Sequence, residues 1–166
     1  MIEYRPLTDV ELVRLWDSHV AENAGDLCWC RWRERFLSEN RAGYAVSFGI
    51  LIDGETVGEG TLLLSPAAAA VRGRERLCDG AHVANINALR IRPALEGQGH
   101  VSALLRCMEA YAVGRGCTRM TIGVEEDAAR TRAIYHHLGY TIPIPRGDDD
   151  EEGVCYFAKL LTDAAK

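Results

Sequence analysis

No apolar run in these 166 residues approaches the ~20 needed to cross a bilayer as a helix, which excludes a helical membrane protein. A basic surplus is missing too. Acidic residues number 24 against 19 basic ones, for a net charge of −5. Nucleic acid is therefore excluded as the main partner, because phosphate binding wants a basic face. Lysine is nearly absent: only Lys159 and Lys166 stand among the basic residues, a bias of composition with no function attached. The opening stretch MIEYRPLTDVELVRLW carries acids early and has no apolar signal core, so the chain is expected in the cytoplasm. There the six cysteines should be free and buried. Cys28-Trp29-Cys30 has one intervening residue where zinc pairs usually have two or more, and no second pair exists. No metal is expected, and these residues should pack a short helix. No glycine turn ends in Gly-Lys-Ser/Thr, which removes a P-loop nucleotide hydrolase.

The length fits one domain over 1–166, with no repeat, linker or low-complexity region. Thr8 and Glu11 form a capping box, and Leu12, Trp16 and Val20 follow at helical spacing, so residues 9–22 should be an amphipathic helix. A short helix over 29–37 places Trp29 and Phe36 on one face. Strands at 45–52 and 56–64 flank Asp53-Gly54, a strong two-residue hairpin signal. Residues 65–80 are irregular, either a loop or a short helix. Then come a strand at 81–92, a helix at 99–113, a strand at 118–124 and a helix at 128–137. Asp127 should cap that last helix and Gly139 end it. Strands at 141–145 and 154–160 close the order, with the acidic run 148–152 between them. A helix joins the central strands, so they should run parallel in a mixed α/β sheet.

The segment LRIRPALEGQGHVSALL at 89–105 is the most informative. A strand runs into Pro93, Gly97 and Gly99 follow, and a helix opens with Val101, Leu104, Leu105 and Met108 on one face. Glycines let a backbone approach a ligand closely, and a helix start adds unpaired N–H donors and a positive dipole end. Together they form an anion cradle, most often for phosphate.

Two motifs give the chain a resemblance to the GNAT superfamily of acyl-coenzyme A-dependent N-acyltransferases. One is Glu96-Gly97-Gln98-Gly99-His100-Val101 after Ile91-Arg92-Pro93. The other is Tyr135 ahead of Leu138-Gly139-Tyr140. The resemblance spans about residues 45–160. It implies a central mixed sheet with parallel, splayed middle strands flanked by helices. It also implies acetyl-coenzyme A as co-substrate and a small-molecule amine as acceptor. A homodimer is compatible with it. The cofactor's pantetheine arm would lie along Leu89, Arg90 and Ile91, and its phosphates would meet the loop from Glu96 through Gly97, Gln98, Gly99, His100, Val101 and Ser102. The chain departs from the family pattern at Glu96, where Arg or Gln is usual, at Val101, where a small residue is usual, and at Ala128, where asparagine is frequent.

Aminolysis of a thioester needs a neutral amine, a donor for the developing oxyanion and a proton for the leaving thiolate. A backbone N–H of the strand ahead of the loop can serve the oxyanion. Tyr135 is the candidate general acid, the match placing it at the cofactor sulfur, with a packed helix-edge tyrosine as the bland alternative. Glu125, at the end of the strand 118–124, is the candidate base, against an exposed loop acid. His82 is a weaker candidate base. Asn85 and Asn87 read as polar strand positions more than as acceptor contacts. His100 is either a phosphate contact or a solvated loop residue. His136 and His137 are consecutive on a helix and face apart. The acidic run either draws a cationic amine to the cleft or is a solvated hairpin tip. The rival to the enzyme is a degenerate domain that binds acyl-coenzyme A, or a partner, without catalysis.

Overall fold

The computed structural model describes residues 1–162, so the last four residues of the expected domain lie outside the described part. Strand β1 (Ile2–Pro6) leads into helices α1 (Asp9–Glu22) and α2 (Cys28–Arg41) and the hairpin β2 (Ala45–Ile52)–β3 (Glu55–Leu63). Then follow β4 (Val83–Ile91), α3 (His100–Gly114), β5 (Arg119–Glu125), α4 (Ala129–His137), β6 (Ile142–Ile144) and β7 (Val154–Leu160). One seven-stranded sheet has the order β1-β2-β3-β4-β5-β7-β6. Its pairs are antiparallel except β4–β5, as the connecting helix α3 requires.

Local chemistry explains most boundaries. The Thr8 hydroxyl accepts from the Glu11 N–H while the Glu11 carboxylate accepts from the Thr8 N–H, closing the capping box of α1. Asp53 and Gly54 both take positive φ (50° and 82°), the requirement of a tight hairpin turn. Helix α2 runs further than expected, to Arg41. Its last turn holds because Glu39 is buried and Asn40 is tied to β2. The Asn40 amide donates to Ser47 Oγ (2.9 Å) and accepts from the Ser47 N–H (2.8 Å). Strand β1 was not anticipated: it is an edge strand of five residues with alternating charges, paired only to β2.

Two expectations need correction. Asp127 does not cap α4. Ala128 holds the cap position with no side-chain bond, because the chain turns one residue later than the spacing implied. Of the six free thiols only Cys78 and Cys117 are buried, and Cys30 is exposed. The irregular stretch 65–80 is a loop with one short 3-10 turn (Ala69–Val71), held to the sheet by buried Val71, Leu77 and Cys78.

Helices α1 and α2 cover one face of the sheet through Leu12, Trp16, Phe36 and Leu37. On the other face, α3 seats Leu104, Leu105 and Met108 against Phe48, Ile50, Leu62, Ile86 and Ile122. Leu104 is fully buried in this cluster. Leu104→Ala is expected to lower stability by about 2–5 kcal/mol, through lost transfer energy and a residual cavity. Urea denaturation checks this, with the midpoint falling and the slope unchanged.

Candidate active site

Strands β4 and β5 pair only from Val83↔Arg119 to Ile86↔Ile122. Beyond that point both continue, β4 to Ile91 and β5 to Glu125, but no longer as partners. On its other side β4 carries a bulge. Glu59 opposes Arg90 and Thr61 opposes Asn87, so two residues, Ala88 and Leu89, face Gly60 alone. Ala88 takes φ 54°, which few alanines adopt, and the bulge redirects the strand at the point of divergence. Residues 87–91 are thereby left without a β5 partner for their backbone groups. That free edge, inside a sheet, is a template for an extended ligand.

The glycine loop follows directly. Gly97 and Gly99 have φ of 77° and 84°, and a Cβ at either would meet nothing within 4 Å, so both are required by conformation and both border open space. The first helical bond of α3 runs from the Ala103 N–H to the Gly99 carbonyl, which leaves the N–H groups of residues 100–102 as free donors. The sequence departures in the loop are accommodated. Glu96 is exposed, and Val101 packs inward against the core. His100 is not the solvated loop residue of one reading given to it. Its ring is buried, and Nδ1 lies 2.8 Å from the Tyr4 hydroxyl, so at the loop it offers its backbone N–H. Ser102 Oγ accepts from Arg106 (3.0 Å).

The parted strands open a cleft of about 670 Å³ that reaches both faces of the sheet. Tyr135 lines it from the α4 side, and Trp32, Arg35 and Phe36 line it from α2. Glu125 lies on its rim at the end of β5, so the cleft brings together the two expected catalytic side chains. The Tyr135 hydroxyl has no hydrogen-bond partner among the described residues, and burial pushes its phenol above the ordinary tyrosine value. Asn85 is committed to structure, its amide donating to Thr121 Oγ1 at 2.8 Å. Asn87 lines the cleft. His82 precedes the paired end of β4 and lies outside the cleft. His136 is held by the Arg132 carbonyl (2.7 Å) and stacks edge-on to Phe157. Leu89 and Ile91 pack into the core, so their offering to a ligand is backbone. Arg90 points to the other face, over Trp16 and Trp29 (5.4 and 5.3 Å).

Sequence reasoning missed two charge clusters. Under β4, Glu59, with a side chain only 5% exposed, accepts from Arg90 (2.9 Å) and pairs with His19 Nε2 (2.7 Å). Residues 31 positions apart along the chain meet here only because β3 and β4 pair, and no local pattern signals that. The second cluster involves the acidic run. Its Asp150, with a side chain 2% exposed, binds both Arg76 and Arg74, and Arg74 also reaches Tyr156 Oη (3.0 Å). Tyr156 lies across Gly123, where a Cβ would sit 2.8 Å from its ring. The run is thus no simple solvated tip: Asp150 anchors a cleft wall and Glu151 lines the cleft. Burial alone pushes the Asp150 carboxyl up, but the Gly147 N–H, Arg76 and Arg74 more than offset it and hold it below the usual aspartate value. A lowered folded value stabilises the fold above the unfolded value of ~3.9, and this is lost as pH falls through the folded one. Asp150→Asn is expected to cost about 2 kcal/mol at neutral pH. Denaturation of both proteins across pH checks this: the difference should shrink below about pH 4.

Comparison with known proteins agrees with this geometry. A family model described as Acetyltransferase (GNAT) family matches residues 10–140. The PaiA N-acetyltransferase of Thermoplasma acidophilum, solved in complex with coenzyme A, is 16% identical, with 96% of this chain and 99% of that one covered and a TM-score of 0.67. A provisionally assigned acyl-CoA N-acyltransferase from Klebsiella pneumoniae is 22% identical over 98% of this chain and 97% of its own, with a TM-score of 0.64. The ribosomal-protein-alanine N-acetyltransferase of Brucella melitensis is 16% identical over 96% and 99%, with a TM-score of 0.64. At these identities the likeness to the solved structures is one of fold. No helix among the described residues is long and apolar enough to cross a membrane. The family match covers most of the chain, and the sheet, the bulge and the glycine loop agree with it: this chain belongs to the GNAT acetyltransferase family.

Proposed function

We propose that this chain is a cytoplasmic N-acetyltransferase that moves an acetyl group from acetyl-coenzyme A to the primary amine of a small molecule by direct attack. The observation that carries the reading is the continuity of three features. An unpaired strand edge at 87–91 leads on to an open glycine loop at 97–99, and residues 87–90 of that edge line a cleft that Tyr135 also lines, its hydroxyl without a partner among the described residues. In this reading the edge of β4 holds the pantetheine amides, the loop and the first N–H groups of α3 hold the pyrophosphate, and the thioester lies where β4 and β5 part.

Each demand of aminolysis then has a group. The acceptor arrives as an ammonium ion, a cation drawn by Glu125 and Glu151, and Glu125 takes its proton directly or through one water. A β4 N–H at the bulge donates to the thioester oxygen as it gains charge. Tyr135, kept protonated by burial, gives its proton to the departing sulfur. The non-catalytic alternative drew on Glu96, Val101 and Ala128, and of the two in the loop Glu96 is exposed and Val101 packs inward.

Titration calorimetry is expected to show acetyl-coenzyme A binding to the wild-type protein and none to Gly99→Asp, with circular dichroism confirming that the variant folds. Absence of wild-type binding at millimolar ligand would defeat the reading. Tyr135→Phe is expected to lower kcat by about 10²- to 10⁴-fold with little change in the KM for acetyl-coenzyme A, as for a positioned acid. Thiol release measures it, and an unchanged kcat would leave water as the proton source.

A further inference from the structure

On the α2 face the cleft carries a guanidinium that the acyl transfer does not use. Arg35 lines the cleft, and its Nε is buried without a hydrogen-bond partner among the described residues. Its nearest carboxylate oxygen, Glu39 Oε1, is 3.7 Å away, beyond hydrogen-bond reach. The other Glu39 oxygen is already taken by the Ala69 N–H (3.0 Å). Nearby, Arg74, which also lines the cleft, shares the carboxylate of Asp150 with Arg76. Arg76 and Arg90 also have a buried Nε without a partner, but each donates through another nitrogen, to Asp150 and Glu59, whereas Arg35 makes no hydrogen bond among the described residues; a polar group left so is costly. The planar fork of an arginine matches a carboxylate above all.

Charge of the other sign lines the same cleft. Glu125 and Glu151 face it, one at the rim of β5 and one ahead of β7. A plain alkylamine would satisfy the acids and leave Arg35 with its ion pair to Glu39 but no hydrogen bond. A phosphate dianion would meet both acids and be repelled. A molecule with one ammonium and one carboxylate is complementary to both sets at once.

We propose that the acceptor is a free amino acid or a close analogue, and that Arg35 pairs with its carboxylate while its amine is presented at Glu125. This rests on the transferase reading above and narrows it. Trp32 and Tyr156 supply apolar walls for the remainder of such a molecule. Arg35 thus acts in specificity, fixing the acceptor's orientation without touching the thioester.

The test is thiol release from acetyl-coenzyme A with a panel of amino acids, each paired with its carboxamide and its decarboxylated amine. The wild-type protein is expected to favour the acid by about 10- to 100-fold in kcat/KM, the range of a charge-assisted bond. In Arg35→Gln the acid-to-amide ratio should fall to near one, mainly through a higher KM for the acid, and Arg35→Lys should restore part of it. Equal rates for acid and amide in the wild-type protein would overturn the inference while leaving the transferase reading intact. An Arg35→Gln protein that slowed acid and amide alike would overturn it too, as the sign of a merely structural arginine. A protein that acetylated other small amines but no amino acid of the panel would also overturn the inference and leave the transferase reading intact, whereas one that bound no acetyl-coenzyme A would defeat both.

Discussion

Four residue pairs join β4 to β5, and then the pairing stops in the middle of a seven-stranded sheet. Backbone donors and acceptors inside a protein must be satisfied by something. An interrupted central pair is therefore a standing demand for a ligand with strand-like hydrogen bonding. The rest of the site is arranged around that gap. The bulge at Ala88 turns β4 at the parting point, and Gly60 opposite it gives Leu89 room to pack: a Cβ there would lie 3.0 Å from Leu89 Cδ1. The glycine loop begins where β4 ends, so an extended ligand on the strand edge leads straight to the donors of α3.

Because the gap passes through the sheet, it separates two chemical environments. On the α3 and α4 side Tyr135 is half-buried among apolar residues, which keeps its phenol protonated. On the α2 side the walls are charged, with Arg35, Arg74 and Glu151 at the cleft. Proton delivery to a leaving sulfur wants the first environment, and recognition of a polar acceptor wants the second. The wall that separates β7 from the loop 65–80 depends on Asp150: without that carboxylate Arg74 and Arg76 would face each other, and Tyr156 would lose the guanidinium that orients it.

Much of this was legible along the chain, and what was not has a common cause. The capping box at Thr8–Glu11, the Asp53-Gly54 turn and the Gly97/Gly99 pair are short-range signals, because backbone conformation is set by neighbours a few residues apart. Strands 45–52 and 154–160 matched to the residue for the same reason. Strand β1 escaped because an edge strand with one polar face needs only a partner to form, and the partner residues, Phe48 to Ile52, are more than 40 positions away. Tyr135 was placed by resemblance and Glu125 by its position at a strand end, and the fold puts both on the lining of one cleft. The His19–Glu59–Arg90 cluster, the Asp150 anchor and the place of Arg35 on the cleft were invisible. Each depends on side chains from distant elements meeting across the sheet, and charge along a sequence reads as a solvated face until tertiary contact shows otherwise.

The central claim is that the parted edge of β4 is the seat of the cofactor. Amide hydrogen–deuterium exchange with and without coenzyme A tests it most directly, because it reads the backbone groups themselves. Saturating coenzyme A is expected to slow exchange in residues 87–91 and at the loop and first turn of α3, 97–102, while the paired segment 83–86 stays as protected as before. Binding shown by calorimetry without added protection at 87–91 would contradict the account, since the ligand would then lie elsewhere than on the strand edge.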